Sequence, residues 1–181
     1  MKLTSKLFEE LTTTELYEIL RARFEVFVIE QECVYLDIDG VDYRSLHIFC
    51  EEDGKVVAYL RTFEKEKDVV QMGRVLTTKR GIGLGAKLLK YAIEEIERRF
   101  NPKQIYIESQ THAVGFYERE GFKVCSDEFM DAGIPHVEMK LNLFRGEENN
   151  VNPELFTPSP GNRLNTGKTL IKSKNGFSPK R

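Results

Sequence analysis

Apolar residues first recur at helical spacing at Leu16, Ile19, Leu20, Phe24 and Phe27, the pattern of a helix with one buried face. Thr12 stands three residues before Glu15, a capping box that starts such a helix. A helix is therefore expected from about Thr13 to about Glu25, continuing into a second short one. Asp37, Asp39, Gly40 and Asp42 then read as loop. Leu46 to Glu51 and Lys55 to Phe63 form two strand-like runs around the turn Glu52-Asp53-Gly54-Lys55, an antiparallel hairpin. Val69 to Leu76 is a third strand, in which Gly73 points to a bulge. Leu88, Leu89, Ala92, Ile93, Ile96 and Phe100 form an apolar stripe opposite Lys87, Lys90, Glu94, Glu97 and Arg98, and Asn101-Pro102 ends it. Gln104 to Glu108 is the next strand, Thr111 to Glu120 a short helix, and Phe122 to Ser126 with Val137 to Leu143 two last strands. A tight hairpin followed by strand, helix, strand and helix predicts a mixed α/β sheet with helices on both faces.

Beyond Phe144 the periodicity disappears and Asn, Pro, Ser, Gly and Lys dominate, a composition that buries too little apolar surface to offset the entropy of ordering. The reading is one domain over residues 1–144 and a flexible, mildly basic tail over 145–181. Leu155-Phe156 and Leu170-Ile171 are the tail's only apolar pairs. Docking of the tail onto the body or a neighbouring chain stays open, and so does a homodimer.

The 181 residues carry a formal net charge of −2, but the halves differ. The tail holds 7 basic and 3 acidic residues against 20 and 26 in the body. An acidic body repels a phosphate backbone on average, so nucleic acid is not an expected partner. No apolar run is long enough for a membrane span, and the start of the chain lacks the apolar run of a signal peptide. Cys33, Cys50 and Cys125 form no C-x-x-C pair, which fits three reduced thiols in the cytoplasm. His47, Cys50 and Cys33 lack the two tight ligand pairs of a structural zinc site, and no metal is expected.

The chemistry concentrates in Arg80-Gly81-Ile82-Gly83-Leu84-Gly85, between a strand and the clearest helix of the chain. There, free backbone N–H groups and the helix dipole can be aimed at an anion. Glycine lets a pyrophosphate approach the main chain, and Arg80 adds a fixed positive charge at the mouth. A P-loop requires Lys and then Ser or Thr directly after the last glycine, whereas Gly85 is followed by Ala86 and Lys87. The dinucleotide fingerprint G-x-G-x-x-G is also unmet, although Glu108 lies near the place of its ribose-binding acid. That reading remains a rival.

The spacing of Arg80, Gly83 and Gly85 resembles the R/Q-x-x-G-x-G/A motif of the GNAT superfamily of N-acetyltransferases. Gln110-x-x-Ala113-x-x-Phe116-Tyr117-x-x-x-Gly121-Phe122 is similar to a second segment of that superfamily, with Gln110 in place of the usual Asn. Arg21-x-x-Phe24-x-Val26-Phe27-Val28-x-Glu30-Gln31-x-Cys33-x-Tyr35-x-Asp37-x-Asp39, with Gly133-Ile134-Pro135-His136, resembles the ElaA branch within it. The resemblance covers about Glu9 to Leu143. It implies a mostly antiparallel mixed sheet with a parallel, V-shaped splay at its centre. It further implies acetyl-CoA as acyl donor and a primary amine of a small molecule, peptide or protein as acceptor. Backbone groups of Arg74, Val75 and Leu76 are expected on pantetheine, with Arg80, Gly81, Ile82, Gly83, Leu84 and Gly85 on the pyrophosphate and Gln110 beside the cofactor.

In that frame Tyr117 is the expected general acid for the departing thiolate. An amine that is protonated near neutral pH also needs a base. Glu108, at a strand end near the opening, is the first choice, ahead of Glu30, Asp37, Asp39, His47 and His136. Acidic residues between Glu30 and Asp42 hint at a cationic acceptor. The rival functions are a non-catalytic module that senses acyl-CoA and an acyl-homoserine-lactone synthase, whose fold the early segment also resembles.

Overall fold

The computed structural model describes residues 1–32 and 35–143; Cys33 and the expected tail lie outside the described residues. Eight strands form one sheet in the order β1-β2-β3-β4-β5-β8-β6, with β7 paired to β8. β1 (Lys2–Leu7) is antiparallel to β2 (Leu46–Glu52), and β2 to β3 (Lys55–Glu66). β4 (Val69–Thr77) is antiparallel to β3 but parallel to β5 (Gln104–Gln110). β8 (Ile134–Asn142) is antiparallel to β5, to β6 (Lys123–Val124) and to β7 (Phe129–Asp131).

The β2–β3 hairpin turns on Asp53 and Gly54, both at positive φ (53° and 72°), the two-residue turn whose twist matches that of the flanking strands. The capping box forms as expected: the Glu15 amide donates to Thr12 Oγ1 at 3.1 Å and the Thr12 amide to Glu15 Oε2 at 2.8 Å. It opens α1 (Thr13–Arg23). The chain then stays helical, widening over Phe24–Glu30 until the Gln31 amide reaches back five residues to the Val26 carbonyl at 3.1 Å.

The helices cover opposite faces. Ile19 and Ala22 of α1 pack with Phe49, Val56, Tyr59 and Leu76. On the other face α2 (Leu84–Phe100) buries Leu84, Leu88, Leu89, Ala92 and Ile96 against Ile48, Leu60, Met72 and Ile107. α3 (Val114–Glu118) adds Tyr117 to that second core.

Two strands escaped the sequence reading. β1 carries only Leu3 and Leu7 as packed apolar residues, too few for a period to be read. β7 and the start of β8 are joined by Ala132 and Gly133, both at positive φ (47° and 81°), a hairpin turn without an Asn-Gly or Asp-Gly signature. The strand expected from Phe122 to Ser126 shrinks to two residues. The helix expected from Thr111 to Glu120 is a tight turn over Thr111–Ala113 followed by α3.

Candidate active site

β4 and β5 pair only from Val69↔Gln104 to Met72↔Ile107. Beyond that point β4 stays with β3 and β5 with β8, so the two parallel strands part. The cause lies in β4. Tyr59 faces Leu76 and Arg61 faces Gly73, so two steps along β3 span three along β4, a bulge that bends the strand. The extra residue sits just after Gly73, with Arg74 at φ 56°. Val70 and Met72 face α2, whereas Leu76 packs beside α1; the bulge produces that change of face.

The gap is a cavity of about 240 Å³. Gly73, Arg74 and Val75 line one side, Glu108, Ser109 and Gln110 the other, and Tyr117 and His136 also face it. Tyr117 is 8% exposed, its ring edge-on to Phe116 and Phe122 at 5.0 and 5.8 Å. Burial pushes its phenol pKa up, and the hydroxyl has no hydrogen-bond partner among the described residues. The group therefore stays protonated and free to donate.

The glycine loop follows from the end of β4. Gly81 and Gly83 adopt φ of 80° and 73° with open space where a side chain would begin, the conformation that favours glycine. Gly83 caps α2 with no side-chain hydrogen bond to the first turn, so the leading amides of a 17-residue helix face outward. A side chain begun at Gly85 would meet the Phe116 ring at 3.5 Å, so the start of α2 lies close against α3. Arg80 is exposed and paired with Glu30. Leu76 and Leu84 are buried in opposite cores, and the Gln110 amide donates to Gln31 Oε1 at 3.1 Å.

Of the proposed bases, Glu108 is exposed on the cavity wall and accepts the Tyr106 hydroxyl at 3.0 Å. Asp37 and Asp39 are held by arginines, and Glu30 by Arg80. His47 lies away from the cavity, between the Tyr59 hydroxyl at 2.9 Å and the Asp42 carbonyl at 3.0 Å. It shares no face of β2 with Cys50, which packs toward α2.

Sequence reasoning missed the charged cluster beneath this wall. Arg23, 0% exposed, donates to Asp37 Oδ2 at 2.9 Å, to the Asp37 carbonyl at 2.7 Å and to Asp42 Oδ1 at 2.7 Å. Arg61 bonds Asp39 and Asp42, and Arg74 reaches Asp37 at 2.6 Å. The available signal was an arginine within the apolar stripe of α1 and another within the buried run of β3, both needing an anion.

A parallel strand pair that parts beside a glycine-capped helix, within a mixed and mostly antiparallel sheet, sets the α/β class of the fold, and sequence comparison gives the family. The model of the acetyltransferase (GNAT) domain matches residues 9–143, and the chain belongs to that family. A UPF0039 protein of Schizosaccharomyces pombe is 39% identical over 142 residues, covering 76% of this chain and 95% of that one. Protein ElaA of Escherichia coli is 35% identical over 142 residues, covering 75% and 93%. Its crystal structure superimposes with a TM-score of 0.74 at 31% identity over 77% of this chain and 99% of its own. An acyl-CoA N-acyltransferase from Pseudomonas aeruginosa gives 0.73 at 34% identity over 77% and 99%.

Proposed function

We propose that the protein transfers an acetyl group from acetyl-CoA to a primary amine by direct attack. The observation that carries this reading is the splay itself: a gap that exposes the edges of β4 and β5, holds an unpartnered phenol, and leads to the glycine cap of α2. The name of the Pseudomonas relative, an acyl-CoA N-acyltransferase, supports the same donor class.

The residues present fit such a donor. The open space at Gly81 and Gly83 and the uncapped amides of α2 suit a pyrophosphate, with Arg80 released from Glu30 to meet it. The unpaired edge of β4 from Arg74 to Leu76 offers backbone partners for pantetheine, and Gln110 stands opposite on β5. The thioester supplies an activated acyl carbon. Main-chain N–H groups in the gap polarise its carbonyl as negative charge develops. Tyr117 gives its proton to the departing sulfur, and Glu108 faces the incoming ammonium with a carboxylate.

Calorimetric titration of acetyl-CoA into the wild type and Gly83→Trp tests the cofactor site, after both are shown to fold. Micromolar binding that the variant loses is expected, together with thiol release when amines are added. A folded wild type that binds no acetyl-CoA would overturn the reading, and binding without turnover on any amine would reduce it to acyl-CoA sensing.

A further inference from the structure

An incoming amine must lose a proton before its nitrogen can attack, and the structure narrows the group that takes it. Glu30, Asp37 and Asp39 are committed to arginines, and His47 has both ring nitrogens bonded away from the cavity. Of the bases expected from the sequence, Glu108 and His136 remain on the wall; His112 and Asp131 also line it, both as exposed side chains.

His136 is fixed for the task. The β5–β8 register sets it opposite Gln110, at the far end of the β5 arm of the splay, and it is 9% exposed. Nδ1 lies 2.8 Å from the Ile134 carbonyl. A carbonyl only accepts, so in the neutral ring the proton sits on Nδ1 and Nε2 carries the lone pair. Nε2 has no partner among the described residues. Phe129, paired with His136 across β7 and β8, stacks on the ring at 6.0 Å and 28°, which fixes its orientation. A buried imidazole with one nitrogen bonded to the main chain and the other free on a cavity wall has a base's geometry. Glu108 is the more exposed group, and its carboxylate already accepts a hydrogen bond from Tyr106.

Resting on the acyl-transfer reading above, we propose that His136 is the general base and that Glu108 is the counter-ion that receives the ammonium. Nε2 takes one proton from the ammonium and passes it to solvent. The freed nitrogen lone pair attacks the acyl carbon, forming the C–N bond as the C–S bond breaks. The departing sulfur takes the Tyr117 proton, and the phenolate is neutralised by the second proton lost from the new amide nitrogen. The sum is one amide, one thiol and one proton released.

The acid limb of kcat/KM is then set by His136 in the field of its neighbours. Glu108 faces it from β5, Glu138 from its own strand, and Asp131 from β7. Arg74, Tyr35, His112 and Tyr117 complete the ionisable wall.

The test uses the full chain, acetyl-CoA, and 1,4-diaminobutane, glycinamide and benzylamine as probe amines, with thiol release as the readout. His136→Asn should fold and bind acetyl-CoA as the wild type does. It should lose about 100-fold in kcat/KM for the amine, lose the acid limb of the pH profile, and recover part of its rate with added imidazole. Glu108→Gln should chiefly raise the KM for the amine and keep the acid limb. Wild-type turnover that His136→Asn retains with its acid limb would overturn the proposal and leave acyl transfer standing. A wild type that binds acetyl-CoA yet releases no thiol with any probe would overturn both. Nitrogen-15 spectra of the histidines, assigned through the same variant, supply a second arm: a neutral His136 protonated on Nε2 would also sink the proposal.

Discussion

Arg23 holds a guanidinium where no solvent reaches it, and the cost of removing that charge from water is offset by three hydrogen bonds to Asp37 and Asp42. The cluster contains three arginines and three aspartates, so it is neutral as a whole and sensitive to the loss of any one member. Asp42 Oδ2 and Arg61 Nε remain buried without a partner among the described residues, which lowers its net contribution. Arg23→Met is expected to destabilise the fold by about 3–5 kcal/mol, because Asp37 and Asp42 each lose one of their two arginine partners in a place with little water; urea denaturation at neutral pH measures it. The same pairing revises the acidic hint read from residues 30–42. Asp37, Asp39 and Asp42 are spent on arginines, and the carboxylates left on the cavity wall are Glu108 and Asp131. Tyr117→Phe tests the other half of the chemistry. It removes one hydroxyl from a packed ring, so stability should hold while kcat at saturating acetyl-CoA falls about 100-fold; unchanged turnover would reject the phenol as general acid.

At the scale of elements, the bulge in β4 matters most, since it both parts the sheet and switches Leu76 to the α1 face. With Arg74 deleted, Gly73 and Leu76 still face α1 and Val75 still faces α2, so the alternation becomes regular. That variant should keep its fold and its melting midpoint within a few degrees but lose acetyl-CoA binding, as β4 continues its pairing with β5. Arg74→Ala, which keeps the bulge residue, should retain binding and so separates the backbone effect from the side chain. The elements with a strong period or a tight signature were legible in advance: the capping box, the Asp53-Gly54 hairpin, α2 and the glycine loop. Gly73 gave the bulge to within a residue. β1 and β7 were not legible, because an edge strand with two packed leucines and a three-residue strand leave no periodicity. The candidate site was half legible for a related reason. Tyr117 and the loop lie in local motifs, whereas the freedom of His136 and the commitment of Asp37 arise from contacts between strands and loops remote in sequence.

Over the whole molecule these ion pairs should make acid the weakness of the fold. For Asp37 burial raises the pKa, but the hydrogen bond and charge of Arg23 outweigh it and the group is held below its ordinary range. Burial acts the same way on Asp39, and hydrogen bonds from Arg61 and the Val41 amide bring its pKa down to about 2 from an ordinary 3.8. Glu95, hydrogen-bonded by Arg98 and also bound by Ser5 and Arg99, lies at about 2 against an ordinary 4.5. It ties β1 to α2, remote from the Arg23 cluster. In each case the unfolded chain takes up protons at a higher pH than the folded one, so the stabilisation is complete above the ordinary values and is lost as pH falls toward 2. His47 adds in the same direction: burial lowers its pKa from an ordinary 6.5, so the folded state resists charging it and loses ground as pH drops below that value. The melting midpoint should therefore decline gently below about pH 6 and steeply between about pH 4.5 and 2.5. Asp39→Asn should be less stable at pH 7 and show a flatter acid slope, because the group that titrates is gone. A wild-type midpoint unchanged between pH 5 and 3 would mean that the arginines do not hold these carboxylates in solution.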